Sequence, residues 1–517
     1  MPKDRESFLM LRDDKPQQRR RRTREAEPLV GATLLLALLA GCSGHAAESR
    51  RVRDALARLN APGNSETRTF AEEPDNAGMN ASEPAPVSIA PDAAGRSAEE
   101  PAALDSLVAI ALRDNPAIRA ADESVRAALA KIPQASAPPD PELLTRTLPE
   151  PAQYADGSNY FILSVMMSLP LPEKLDRAGR VALEEAWIAL HDAERMRREV
   201  AAEVRRAYSR AYILDRTIET NLANRELLRG LIDVAHAEVA AGRRSQDDIL
   251  RAQVELYALD SEVIDLRRER TEATADLNRL TARPAGTDLP ALINLTPRTA
   301  RVDRERVLAQ ADRFNPVLLR LQRQIERDRH AVRAAELASW PDLKFGIEWM
   351  YQRDREAMRV LPDPQTGMIP EVDRMSERGM DMWAIVAGIN LPIWRGRIEG
   401  GIAEARSRLA ASQHELAAER HRVASRIATS LSAVAAKQEL VALFANTIIP
   451  QARQAYEVSR AAYSGGGKGD FPAVIESWRK WLAFTVQYHR SIAELETALA
   501  DLEEAAGAGV AELEAQP

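Results

Sequence analysis

Hydrophobic positions along this chain follow two periods, and the switch between them organises the reading. Val200, Val204, Ala207, Ala211, Leu214 and Ile218 are spaced 4-3-4-3-4, the seam of long packed helices. Beyond Gly242 the same spacing resumes in Ile249, Ala252, Leu256, Leu259, Val263 and Leu266. It returns in Ile427, Leu431 and Val434, and in Tyr488, Ile492, Leu495, Leu499 and Leu502. Two stretches break the helical pattern. Residues 159–172, NYFILSVMMSLPLP, and 381–394, DMWAIVAGINLPIW, alternate with period two, as strands do. They align without a gap: Phe161 with Trp383, Leu163 with Ile385, Val165 with Ala387, Met167 with Ile389 and Leu169 with Leu391.

The surrounding sequence is duplicated too. Residues 107–143 are echoed by 306–345, with Asn115-Pro116 matching Asn315-Pro316 and Pro139-Asp140 matching Pro341-Asp342. Each Asn-Pro suits a helix start, because proline is tolerated in the first turn. The chain reads as two tandem repeats, 101–305 and 306–505. Each holds an Asn-Pro helix, a strand pair, a long helix, a glycine-bearing tip and a returning helix half as long. The long arms are expected at 173–239 and 395–463, each about 100 Å of helix. The tips are AAGRRSQDDIL (240–250) and GGGKGDFPAVI (465–475). Half-length helices stacked end to end match one long arm, which predicts a rod of four helical columns with all strands at one end.

The strands carry the chemistry. One face presents Phe161, Leu163, Val165, Met167 and Leu169, or Trp383, Ile385, Ala387, Ile389 and Leu391. The other face includes Ser164, Ser168, Gly388 and Asn390. Preceding partners are DLKFGIEWMYQ (342–352) and, more weakly, ELLTRTLP (142–149). Such alternation fits a membrane barrel strand, apolar outward and more polar inward. Four strands cannot close a barrel, and an open sheet edge in lipid leaves backbone groups unsatisfied. Membrane-spanning strands therefore require several chains to share one barrel. The competing reading is a pair of soluble hairpins capping a helical bundle.

Composition narrows the class. Of 517 residues, 45% are hydrophobic and only 5% aromatic, which suits long helices better than a compact mixed fold. A net charge of −7 speaks against a general nucleic-acid binder, which needs a basic face. Positive charge gathers instead in QRRRRTR (18–24), just before LVGATLLLALLAGCSG (29–44). That apolar run falls short of the ~20 residues that span a bilayer as a helix, and fits a signal peptide. It ends in Leu39-Ala40-Gly41-Cys42, like a bacterial lipobox, and Cys42 is the only cysteine. A lipoprotein signal peptide over 1–41 and a lipid on Cys42 are expected. Residues 42–100, rich in Ala, Pro, Glu, Asn and Ser, read as a flexible tether in which ESRRVRDALARLN (48–60) could form a short helix. Residues 506–517 read as a tail.

From Leu104 to Leu502 the chain resembles the TolC-like outer-membrane factor family. The resemblance rests on the twin Asn-Pro helices, the twin strand pairs ending in Leu-Pro, and the tips. Gly242, Asp248, Ile249 and Leu250, with Ser245 between, fit the family's tip pattern. Gly467, Val474 and Ile475 fit it again, but Ala473 stands where that pattern has Asp, and Pro472 departs from it. The resemblance implies a mainly α fold with long hairpins and a homotrimer whose four strands per chain build a 12-stranded outer-membrane barrel. It also implies a passive conduit without cofactor or enzymatic chemistry. Its tips, including Asp470, would dock a periplasmic adaptor and through it an inner-membrane pump. The rival is a periplasmic adaptor or a coiled-coil structural lipoprotein, but the short glycine-punctuated strands that flank an adaptor hairpin are absent from this sequence.

Other signals are weaker. Six of the twelve methionines fall between Met350 and Met382, and soft thioethers favour Cu(I). An external loop with incidental methionines outweighs a metal relay through Met358, Met368, Met375, Met380 and Met382. GGGKGD fails as a phosphate loop, since Gly469 follows Lys468 where Ser or Thr is needed. Of the scattered histidines, only His414 and His421 share a helical face, and no zinc pattern appears.

Overall fold

The computed structural model describes residues 43–61, 103–148, 153–154, 157–242, 245–289, 292–299, 302–353, 364–367, 381–464 and 470–509. Helix α1 spans Ser43–Leu59. The first repeat contributes α2 (Leu104–Asp114), α3 (Pro116–Ser136), strands β1 (Glu142–Thr147) and β2 (Gly157–Leu169), α4 (Pro172–Ala240) and α5 (Gln246–Leu280). The second contributes α6 (Arg304–Phe314), α7 (Pro316–Leu337), β3 (Leu343–Arg353), β4 (Met382–Ile389), α8 (Arg395–Ser464) and α9 (Phe471–Ala506). The long arms, 69 and 70 residues, match their expected bounds to within a residue.

Helix α8 contains one π turn, Phe444–Ile448. It sits immediately before the turn carrying Pro450, which lacks an N–H and crowds the carbonyl one turn back. Widening the helix there relieves that conflict.

Each half-length pair does stack end to end, and the Asn-Pro motif is the joint. Asn115 Oδ1 accepts from Ala117 N (2.8 Å), capping α3, while its Nδ2 donates to Leu280 O (2.9 Å), the last carbonyl of α5. Asn315 repeats this: Oδ1 accepts from Val317 N (2.9 Å) and Nδ2 donates to Ala505 O (2.9 Å) near the end of α9. One buried amide thus satisfies the orphan groups of two helix ends at once. The composite columns α3/α5 and α7/α9 both pack on α4, and α8 packs on α7/α9.

The core is correspondingly thin and strung along the rod. Its middle gathers Val200, Val204, Tyr208, Ala211 and Leu277 in the first repeat, and Val423, Ile427, Val434, Leu495 and Leu499 in the second. Tyr208 donates to Ile293 O (3.0 Å) in the connection between repeats, and burial pushes its hydroxyl pKa up to about 12. Tyr212 Oη lies 3.1 Å from His489 Nδ1. Burial, reinforced by Arg216, holds His489 below the ordinary imidazole range, so the pair packs neutral.

The stretch after Cys42 begins as structure. Helix α1 lies along the groove of α3 and α4, burying Val52, Ala55 and Leu56 against Val125, Ile132, Leu183 and Leu190. Arg197 grips its end, bonding Asn60 and, at 3.0 Å, Asp122. Described structure therefore starts at Ser43, inside the segment expected as tether; residues 62–102 lie outside the described residues.

Candidate functional site: the strand end and the helical tips

The four strands form one antiparallel meander, β1-β2-β3-β4, in which β2 and β3 join the two repeats. Register places Thr145, Leu163, Trp349 and Trp383 in one row and Leu143, Val165, Ile347 and Ile385 in the next. Phe161, Leu163, Val165 and Met167 thus share a face with Trp383, Ile385 and Ile389, as the alternation predicts. Leu343, Phe345, Ile347 and Tyr351 complete it. That face is solvent-open: Trp383 is 72% and Ile385 75% exposed. The opposite face is covered only at its centre, where Ile162 and Ser164 are 7% and 6% exposed and Met166 fills the space beside Gly346; Leu144, Lys344 and Gly388 on the same face are exposed. The open face is thus continuously apolar, whereas the other mixes Ser164, Ser168, Lys344 and Glu348 with Ile162, Met166 and Val386; a soluble sheet would hide the apolar face instead.

Aromatics mark both ends of the open face. Trp349 packs against Phe161, Tyr351 and Trp383 with ring centroids 6.3 to 6.5 Å apart at the end far from the helices. Trp340 and Trp394, both exposed, stand where the strands meet α7 and α8. From Leu343 to Tyr351 is about 27 Å of strand, or roughly 20 Å of height at a barrel strand's tilt, and Trp340 stands one turn beyond it. This is close to the ~25 Å apolar band that aromatic girdles flank in membrane barrels. The strand–helix junction is tied across repeats, with Lys174 Nζ 2.7 Å from both Asp342 Oδ1 and Trp340 O. β1 and β4 are edge strands whose outer backbone groups have no neighbour among the described residues.

At the other end of the rod the tips share one apolar cluster. Leu228, Leu231, Ile249 and Ala252 of the first hairpin meet Tyr456, Tyr463, Phe471 and Trp478 of the second. Gly242 turns the first tip at φ +71°, a region open to glycine at no steric cost. Ser245 caps α5 by accepting from Asp247 N (3.3 Å), and Asp248 lies 3.3 Å from the Tyr463 hydroxyl. Asp470 precedes α9 and is exposed, with no side-chain cap bond. Gly242, Ser245, Asp248 and Asp470 are thereby brought to one end of the molecule. Gly467 lies outside the described residues, as do Cys42, Met358, Met368, Met375 and Met380; Met382 opens β4.

Two elements escaped sequence reasoning. The aromatic cluster around Trp349 required the register between repeats. The second function of Asn115 and Asn315, capping another helix, required knowing which helices stack.

A family profile described as outer membrane efflux protein matches residues 107–283 and 307–508. No curated protein matches by sequence. Among solved structures the chain resembles the outer membrane protein VceC of Vibrio cholerae, with TM-score 0.63 and 19% identity, covering 79% of this chain and 96% of that one. The CmeC outer membrane channel of Campylobacter jejuni gives 0.62 and 15%, covering 78% and 85%. The open state of the MtrE outer membrane channel of Neisseria gonorrhoeae gives 0.62 and 17%, covering 79% and 89%. These likenesses show the same strand-capped helical fold, and the profile spans both repeats. The chain belongs to the outer membrane efflux protein family, outer-membrane channels that extend into the periplasm as components of efflux systems.

Proposed function

We propose that three copies of this chain close one 12-stranded barrel in the outer membrane and continue it as a helical tunnel through the periplasm. The channel is a passive conduit without cofactor or enzymatic step. Its tips, with Gly242, Ser245, Asp248, Gly467 and Asp470, receive a periplasmic adaptor and through it an inner-membrane pump. Cys42 carries a lipid in the same membrane. Support for the anchor comes from α1: His45 lies 3.3 Å from Asp176, in the second turn of α4 as it leaves the sheet. Helix α1, which follows Cys42 in sequence, thus begins beside the sheet end of α4, as a lipid anchor at that end requires.

The observation that carries this reading is the exposed apolar face of a sheet with two open edges. Such a face disfavours water, and such edges are excluded from lipid unless another chain pairs with them. Four strands and four columns per copy let sheet and helices close together, and family resemblance sets the number at three.

The test is a pair of neighbours in β4. Ile385→Arg puts a charge on the face assigned to lipid, at a cost of about 2–4 kcal/mol at the bilayer midplane. Ala384→Arg puts the same charge on the other face, opposite Glu348. Membrane-inserted protein should fall sharply for the first variant and stay near wild type for the second. Equal insertion of both would remove the lipid assignment.

A further inference from the structure

The apolar face of the sheet does not stop where β4 ends. Two tight turns follow, in which Ile393 N donates to Leu391 O (2.9 Å) and Arg395 N donates to Ile393 O (3.0 Å). They carry the apolar strip on through Leu391, Ile393 and Trp394, with Leu391 70% and Trp394 71% exposed. Polarity then reverses within one residue. Arg395 and Arg397 open α8, both exposed and both without partners among the described residues. A Cβ added at Gly396 or Gly400 would meet nothing within 4 Å, so the start of α8 is uncovered within one copy. The first repeat differs at the same height. The repeat alignment sets Arg395 against Glu173 and Arg397 against Leu175. The cations of that junction are used inside the chain: Lys174 holds Asp342 and Trp340 O, and Arg180 bonds Asp176 at 3.0 Å.

We propose that Arg395 and Arg397 bind the phosphates of anionic phospholipids in the periplasmic leaflet of the outer membrane, with Leu391, Ile393 and Trp394 set among the neighbouring acyl chains. This rests on the shared-barrel reading, which puts the open face of the sheet in lipid. The boundary between hydrocarbon and water then falls between Trp394 and Arg395. Tryptophan favours that depth. A guanidinium there offers parallel N–H donors to a phosphate while its stem stays among apolar groups. The two arginines stand about 3 Å apart along the rod, within one headgroup layer. A headgroup of net negative charge answers cations that the chain itself leaves unanswered.

The experiment strips the full-length protein of lipid in mild detergent, adds back phosphatidylglycerol or phosphatidylcholine, and counts the lipids retained per particle by native mass spectrometry. Wild type should retain phosphatidylglycerol at least about fivefold over phosphatidylcholine, the effect of roughly one basic residue near an anionic surface. Arg395→Gln with Arg397→Gln should bring the two lipids close to parity at an unchanged mass of three copies. Arg395→Lys with Arg397→Lys should keep most of the preference. Undiminished preference in the glutamine pair, or none in wild type at that mass, would overturn the site and leave the shared barrel standing. Loss of the three-copy mass in the glutamine pair alone would assign these arginines to a neighbouring copy and also overturn the site. A wild-type mass of one copy would overturn the reading beneath it.

Discussion

At the scale of single residues, the two repeats solve one problem with different side chains. Helix α5 ends in a turn where Arg283 N donates to Asn278 O (2.8 Å) and Ala282 N to Arg279 O (3.3 Å). This places Ala282 in the left-handed region at φ +57°. Helix α9 ends with Gly507 at φ +71°, its Cα pressed against the Asn315 backbone, where an added Cβ would lie 2.6 Å from Asn315 Cα. Left-handed backbone costs an alanine about 1–2 kcal/mol, partly offset by glycine's greater freedom when unfolded. Ala282→Gly should therefore stabilise the protein by up to about 1 kcal/mol. Gly507→Ala should destabilise it by about 2–4 kcal/mol, through strain and overpacking against the joint. Denaturant titration of the detergent-extracted protein measures both, and opposite signs are the expected result. The Asn-Pro pairs were legible as helix starts because proline constrains the turn it begins. Their grip on Leu280 and Ala505 was not, since those carbonyls lie more than 160 residues away in the chain.

At the scale of elements, the heptad seam over 200–218 and its shorter echo over 427–434 showed helix, and the strand ends and glycine tips on either side bounded the long arms. It located β2 and β4 because a two-residue period cannot be read as helix. Helix α1 was only suspected, for its apolar side is three residues, Val52, Ala55 and Leu56, whose partners lie in two other helices. The exposed stripe of Leu250, Val254, Tyr257 and Ile264 on α5 was missed for the opposite reason: a stronger seam on the same helix masked it. The tip gives the element-scale prediction. Gly242 combines a positive φ with an amide that donates to Val239 O at 2.9 Å. Proline would forbid the first and delete the second. Gly242→Pro should weaken capture of the adaptor by at least about tenfold, equivalent to 1.4 kcal/mol, while copy number stays unchanged. If the assembly dissociates instead, that turn serves assembly rather than docking.

At the scale of the whole molecule, the single chain is an incomplete object. Its sheet turns its apolar face outward, its two edge strands lack neighbours among the described residues, and its helices form a row whose outer flanks are apolar. Each feature would be a liability in a monomer, and each is relieved by closing copies into a ring. The sequence already implied several copies, from the count of four strands, whereas the order of the helical columns within one copy became visible only once α4 was seen to bind both composite columns. The central claim is tested most directly by the native mass of the protein extracted from the outer membrane in mild detergent. The account predicts a particle of three copies. A single copy, or a chain that leaves the membrane without detergent, would contradict it.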